Sequence, residues 1–464
     1  MNLTILRQAF DEKHISLEPE EIRRHAPDGL TPEAMVYPGA LPEAAELVKL
    51  ANREKFSLAP RGAGVMSSVG GRLKSADVIL STRRLDKTID LDLANLTVTA
   101  QAGAIFGDLQ DLLAGSENRC FFPLDGRLKE TADYICSDRD YMGAFIPVDP
   151  PLAEKITLGE MLAVSLTGPT RLRNRLLRDL VLGVRFIAPT GEIIGMGGKT
   201  VKNVSGYDAS KLMIGSLGCL GLIGEVTLRL LPLPESQGGI IAIFSGLEPA
   251  GRFCESMLKS RLLPTALELM NQPAWSVAGP DRPEMPREGF AVALGQAGFE
   301  EEVRRERVEI LARADQAAAR DILELDGRET SALFKRLGDT LLSRATIKLK
   351  ANYRFSGYLE FMAEVERRRQ GWPWAACCSA GNGVTHLYLS DRPDLKAGTG
   401  FGLALRDKAL ALNGALFVEA APPEFKDLFD PWGPPRGDFE IMKRLKKELD
   451  PAGIFNPGRF PGGL

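Results

Sequence analysis

The chain has 464 residues, 44% of them hydrophobic, with 58 Lys and Arg against 61 Asp and Glu for a net charge of −3. That length accommodates two or three domains with substantial cores, and the charge balance supplies no basic surplus for nucleic acid. No apolar run of about 18 residues appears, and the charged opening MNLTILRQAFDEKHISLEPEEIRRH lacks the apolar centre of a signal peptide, so the reading is cytoplasmic, with peripheral attachment to the inner face of a membrane through a complex left open.

Residues 1–35 read as an N-terminal extension. Leu41, Ala44, Ala45, Val48 and Ala51 then recur at helical spacing, so PEAAELVKLANRE predicts an amphipathic helix. FSLAP (56–60) predicts a strand, and RGAG follows it as a tight turn. DVILST (77–82) and LTVTAQAG (96–103) predict two more strands from their β-branched content. Phe106, Leu109, Leu112 and Leu113 mark a short helix. Residues 125–155 are polar, without clear period, and read as a loop-rich insertion. VRFIAPTGEII (184–194) predicts a hairpin around Thr190-Gly191. Pro232, Pro234 and Gly238-Gly239 suggest a domain boundary, beyond which a second α/β unit is expected, with IIAIF and ALELM as strands and EEEVRRERVEILARADQAAARDIL as one long helix. The tail EIMKRLKKELDPAGIFNPGRF predicts a helix with Ile441, Leu445 and Leu449 on one face, stopped at Asp450-Pro451.

Several motifs invite a chemical reading. In GMGGKTVKNVSG (195–206), Gly198-Lys199-Thr200 looks like the end of a nucleoside-triphosphate loop, but that loop needs a glycine five residues before Gly198, and Ile193 stands there. GAGVMS (62–67) follows a strand and approaches GxGxxG, with Ser67 in place of the last glycine. A glycine turn of this kind exposes backbone N–H groups and can hold a pyrophosphate without belonging to a Rossmann unit. Six cysteines, Cys120, Cys136, Cys219, Cys254, Cys377 and Cys378, form no CxxC pair and read as reduced, buried thiols, so an iron–sulfur centre would have to sit on another chain. Only three histidines are present, His14, His25 and His386.

PRGAGVMSS, RDLVLGVRFIAPTGEIIGMGGKTVKNVSGYDASKLMIGSLGCLGLIGEVTLRLLPLP and LDPAGIFNPGRF resemble the FAD-linked oxidases of the vanillyl-alcohol oxidase (PCMH) type, and among them the small FAD-binding subunits of bacterial glycolate oxidase and D-lactate dehydrogenase complexes. The resemblance covers about residues 36–125, 156–235 and 416–464. It implies an α+β fold: a two-subdomain PCMH-type FAD-binding domain (36–235, carrying the 125–155 insertion), an α/β cap domain (236–415) and a C-terminal segment (416–464) that returns to the flavin domain.

The resemblance also implies cofactor contacts. Pro60, Arg61, Gly62, Ala63, Gly64, Val65 and Ser67 would meet the FAD pyrophosphate. Thr157, Leu158 and Gly159 would border the cofactor, with Asn203, Gly206, Tyr207, Gly218, Cys219, Gly221, Ile223 and Asn456 completing its surroundings. One departure stands out: Glu160 replaces the family's second glycine, and a carboxylate beside a pyrophosphate repels it, so Glu160 must point away or the local fit is altered. No histidine is close to the glycine turn in sequence, so the FAD is expected to be noncovalent.

Catalytic members use a histidine from an EHGIG-type motif and a metal held near GHAGDGN. Here VEAAPPEF (418–425) keeps Glu419 but has Ala420 at the histidine's place, and CSAGNGVTH (378–386) keeps His386 but has Ser379 and Asn382 at the first histidine and the aspartate. A lone histidine makes a poor zinc-type site, so no metal is expected. Glu419 and His386 remain the weak catalytic candidates, together with Arg354; Lys348, Lys350 and Arg354 in TIKLKANYRF are cationic groups that could meet a carboxylate or simply alternate as exposed charge on a strand. The implied function is an FAD-binding subunit of a 2-hydroxy acid dehydrogenase complex, partnered by a larger FAD-binding catalytic subunit and an iron–sulfur subunit. The alternatives are a stand-alone FAD-dependent 2-hydroxy acid dehydrogenase and a structural subunit that has lost flavin.

Overall fold

A computed structural model describes residues 3–116, 143–174, 176–199, 208–280, 288–369, 374–389 and 395–464. Most of the insertion expected at 125–155 lies outside these residues, as do Cys120, Cys136, Asn203, Gly206 and Tyr207.

The first sheet is built from β1 (Ile15–Ser16), β2 (Ala34–Val36), β3 (Leu58–Arg61) and β4 (Val78–Ser81) in the order β1-β2-β4-β3. β2 and β3 both run parallel to β4. The crossover between β2 and β3 is the helix Leu41–Glu54, whose Leu41, Ala44, Ala45, Leu47, Val48 and Ala51 are all buried, as the helical spacing requires. Lys55, in the left-handed region at φ 60°, ends it.

The second sheet has the order β5-β6-β9-β7-β8, from β5 (Thr88–Asp92), β6 (Thr97–Gln101), β7 (Val181–Ile187), β8 (Ile193–Gly197) and β9 (Leu222–Arg229). β7 and β8 form the expected hairpin, closed by Gly191 at φ 84° donating its N–H to the Ala188 carbonyl. Gly197 ends β8, and Lys199 just beyond it pairs with Asp90 at 2.9 Å on the surface.

The third sheet contains eight antiparallel strands, β10 (Ser236–Phe244), β11 (Ala266–Met270), β12 (Phe290–Gly298), β13 (Asp321–Asp326), β14 (Ile347–Asn352), β15 (Ala375–Ser379), β16 (Val384–Leu389) and β17 (Ala415–Ala420), in the order β13-β10-β12-β11-β15-β16-β14-β17. Ile240, Ala242 and Phe244 face one apolar cluster and Ile241 and Ile243 the other, because helices cover much of both faces. Gly238 and Gly239 lie inside β10, paired on both sides. The long charged helix stops sooner than its composition suggests. It runs Glu300–Gln316, Ala318 takes φ 63°, and DIL opens β13 as an edge strand.

The tail returns to the first sheet. Phe455 bridges Leu58 in parallel, and the Leu58 N–H donates to the Ile454 carbonyl at 2.7 Å. What anchors it is polar. Lys446 is buried on the helix Phe439–Leu449, where its Nζ donates to Asp450 at 2.6 Å, to the Cys219 carbonyl at 2.7 Å and to the Phe455 carbonyl at 2.9 Å. Of the apolar face expected there, Leu449 packs against the core of the second sheet while Ile441 is 62% exposed. Lys446 and the loop that follows make the buried polar contacts.

Candidate functional site: a glycine nest and a cavity under the third sheet

The glycine turn after β3 lines a small cavity of ≈ 90 Å³. The fold brings ten of the expected cofactor residues to it: Pro60, Arg61, Gly62, Gly64, Ser67, Gly159, Gly218, Gly221, Ile223 and Asn456. Ala63, Val65, Thr157, Leu158 and Cys219 are outside its lining. Thr157 caps the helix Leu158–Ala163 by accepting the Glu160 N–H, and Leu158 is fully buried. The Cys219 thiol is buried against the Leu217 and Asn456 carbonyls, and burial pushes it up to about 12. Gly218, at φ 66°, packs a would-be Cβ 3.0 Å from Asn456 Nδ2 and 3.2 Å from Pro60, which explains the glycine there. His25, remote in sequence, also lines this cavity, and burial together with Arg61 lowers its pKa.

The centre of the nest is filled from within. The Glu160 carboxylate points into it, accepting the Gly64 N–H at 3.0 Å and the Met66 N–H at 2.6 Å, with Ala63 a weaker contributor. The expectation that Glu160 points away is therefore corrected, and it is the local fit that is altered. The reason is elementary: a turn whose N–H groups converge attracts the nearest anion, and residue 160 delivers one. Burial raises the Glu160 pKa while the three N–H groups and Arg61 oppose that rise. Arg61 folds over Gly64, and its Nε is buried with no hydrogen-bond partner among the described residues. Arranged this way, the nest does not fit a pyrophosphate. Its donors are engaged, and ≈ 90 Å³ falls below the roughly 300–1,000 Å³ of small-molecule sites.

A second cavity, of ≈ 690 Å³, lies between the second sheet's helices and the third sheet. Strand periodicity turns Lys348 and Lys350 of β14, Cys377 and Ser379 of β15, and His386 and Tyr388 of β16 toward it, and β11 adds Glu268. Cross-strand registry sets Lys350 and Cys377 on either side of His386.

Glu419 is the hub of this face. Its carboxylate meets Lys348 at 2.9 Å, Lys350 at 3.5 Å and His386 Nδ1 at 3.1 Å. Burial pushes Glu419 up, but Lys348, His386 and Lys350 together hold it well below the usual carboxylate range. Burial lowers the pKa of His386 and of Lys350, which Glu419 partly offsets. Lys348 is 2% exposed, so the alternative of exposed alternating charge on this strand is corrected, and Glu419 beside it is buried too. Arg354 lies beyond β14, outside the cavity lining, half-exposed and paired with Glu360 at 3.5 Å.

Two carboxyl groups were missed by the sequence reading. Glu268 accepts Ser379 Oγ at 2.5 Å and Cys377 Sγ at 3.2 Å, and burial pushes it up to about 7. Asp149 accepts Thr170 Oγ1 at 2.6 Å, and burial pushes it up to about 6. Neither sits in a motif; only the fold buries them. Among the described residues no cluster of His, Cys, Asp and Glu is arranged to hold a metal, and no helix is long and apolar enough to cross a membrane.

Comparison with known proteins gives the same architecture. Residues 32–127 match the FAD binding domain family, and residues 434–460 match the C-terminal domain of FAD linked oxidases. The glycolate oxidase subunit GlcD of Bacillus subtilis (strain 168) is 24% identical over 449 residues, covering 92% of this chain and 89% of that one. The glycolate oxidase subunit GlcE of Escherichia coli (strain K12) is 44% identical over 96 residues, covering 20% of this chain and 27% of that one. The structure of p-cresol methylhydroxylase with substrate bound shares the fold at a TM-score of 0.71 and 14% identity, covering 98% of this chain and 95% of that one.

Proposed function

We infer that this chain, a member of the FAD-linked oxidases and an FAD-dependent oxidoreductase, works as an FAD-binding subunit of a complex that oxidises a 2-hydroxy acid, glycolate or D-lactate. A larger flavin subunit oxidises the substrate and an iron–sulfur subunit carries the electrons onward; this chain completes the assembly. The likeness to the two glycolate oxidase subunits supports a place in such a complex.

One observation carries the reading. Oxidation of a hydroxy acid needs a free base for the hydroxyl proton. In this chain Glu419 is bound to Lys348 and to His386, and Ala420 stands next to it at the place where the resemblance puts the histidine of catalytic members. Glu419, held well below the usual carboxylate range by the cations around it, is a weak proton acceptor, and the reading assigns the base to the larger flavin subunit. The test is co-expression with a larger flavin subunit and an iron–sulfur subunit. The assembled complex reduces an electron-accepting dye with glycolate or D-lactate, and the chain alone does not; equal turnover per flavin by the chain alone overturns the assignment.

A second reading, a stand-alone 2-hydroxy acid dehydrogenase, is favoured by Glu268. Its carboxyl, pushed up to about 7, lines the ≈ 690 Å³ cavity together with Arg171 and Lys350, which could pair with a substrate carboxylate. Under that reading E268Q abolishes turnover by the isolated chain.

A further inference from the structure

Glu160 belongs to a helix with a local alternative. Thr157-Leu158-Gly159-Glu160 has the capping-box pattern, in which the fourth residue's carboxylate reaches back to the N–H of the first. Half of that box is made, since Thr157 Oγ1 accepts the Glu160 N–H at 3.3 Å. The other half is not. The carboxylate crosses instead to Gly64 and Met66, 96 and 94 residues away in sequence.

We propose that Glu160 is a built-in occupant of the pyrophosphate seat, that FAD binds only when this carboxylate has swung out, and that residue 160 thereby sets the flavin affinity of the chain. The inference rests on membership of the FAD-linked oxidases and not on the 2-hydroxy acid reading.

The geometry gives three independent supports. First, the seat is an anion site by construction, since the Gly64 and Met66 N–H groups converge on one carboxylate. Second, the occupant and the cofactor exclude each other. Gly62 has no room for a Cβ beside Thr157 and Glu160, so the turn and the helix are already in contact, and two anions in a buried site repel. Third, Arg61 beside the carboxylate keeps its Nε buried without a partner among the described residues. That donor is surplus to what one carboxylate takes and suits a larger anion.

Swinging out moves the carboxylate from the nest toward the Thr157 N–H, where the capping box receives it. The exchange trades one set of charge-assisted hydrogen bonds for another, and a pyrophosphate must win it before any binding energy appears as affinity. A glycine at 160 removes the competitor.

The experiment titrates FAD into the full-length apo chain, following flavin fluorescence and the shift in thermal midpoint, for the wild type, E160G and E160Q. The account expects E160G to bind about ten- to a hundredfold more tightly than the wild type, and E160Q to fall between them because its amide keeps an acceptor but loses the charge. FAD raises the thermal midpoint of E160G at concentrations that leave the wild type unmoved. If E160G does not fold, the gain at E160Q carries the test. Equal affinity in all three chains, or no binding in any of them, overturns the proposal. The titration contains no hydroxy acid, so failure of the 2-hydroxy acid reading does not enter its result.

Discussion

The Glu160 carboxylate accepts the Met66 N–H at 2.6 Å across 94 residues of chain, joining the helix Leu158–Ala163 to the turn after β3. A turn whose N–H groups converge on an anion is closed by one from the chain itself. On the third sheet, likewise, Glu419 gathers Lys348, Lys350 and His386 into one cluster.

That cluster predicts a stability effect. Glu419→Gln leaves Lys348 buried without its counter-charge, at a cost of about 3–5 kcal/mol, read from the urea midpoint. Because the Glu419 pKa is depressed in the fold, its contribution is complete above the ordinary value of 4.5 and is lost as pH falls below it. His386, also depressed from its ordinary 6.5, adds a loss in the same direction as pH falls. The variant shows a shallower acid slope than the wild type.

Glu268 predicts the opposite sign. Its pKa is raised from 4.5 to about 7, so its contribution is complete below pH 4.5 and is lost as pH rises toward 7. E268Q holds the neutral form at every pH. Above pH 7 it gains up to about 3 kcal/mol relative to its difference from the wild type at pH 4.5. Urea midpoints at several pH values measure this, and parallel pH profiles for the two chains contradict it.

The tail anchor is equally exposed to test. Asp450 holds Lys446 at 2.6 Å and accepts the N–H groups of Ile454 and Phe455 at 3.0 Å each. Asp450→Ala strips a buried lysine of its counter-charge and costs about 3–5 kcal/mol. Amide exchange at Leu58, whose N–H donates to Ile454, rises with it. Ile441→Ser, on the outward face of the same helix, changes stability by no more than about 0.5 kcal/mol.

Much of this molecule is legible in its sequence. The helix Leu41–Glu54, the strands around Leu58 and Val78 and the hairpin at Thr190-Gly191 follow from period and turn chemistry, which are local. The lining of the glycine nest follows from family resemblance. What could not be read is the partner of each charge. Glu160 satisfies a capping-box pattern locally, and nothing local says that its carboxylate crosses to Met66. Lys348 alternates like an exposed strand residue until the sheet order places Glu419 beside it. Glu268 and Asp149 carry no motif at all, because burial is a property of the assembled layers. In the tail helix the apolar spacing does not say that Ile441 is exposed, that Leu449 packs on the core or that Lys446 is the most deeply buried member.

The most direct test of the central claim, that this chain supports hydroxy-acid oxidation without performing it, is an anaerobic spectrum. The full-length chain, wild type and E160G alike, is saturated with FAD, freed of oxygen and mixed with glycolate or D-lactate while the visible flavin band is followed. The account predicts that the band persists in both chains and bleaches only when the larger flavin subunit is present. Bleaching of either isolated chain, in proportion to added hydroxy acid, contradicts it.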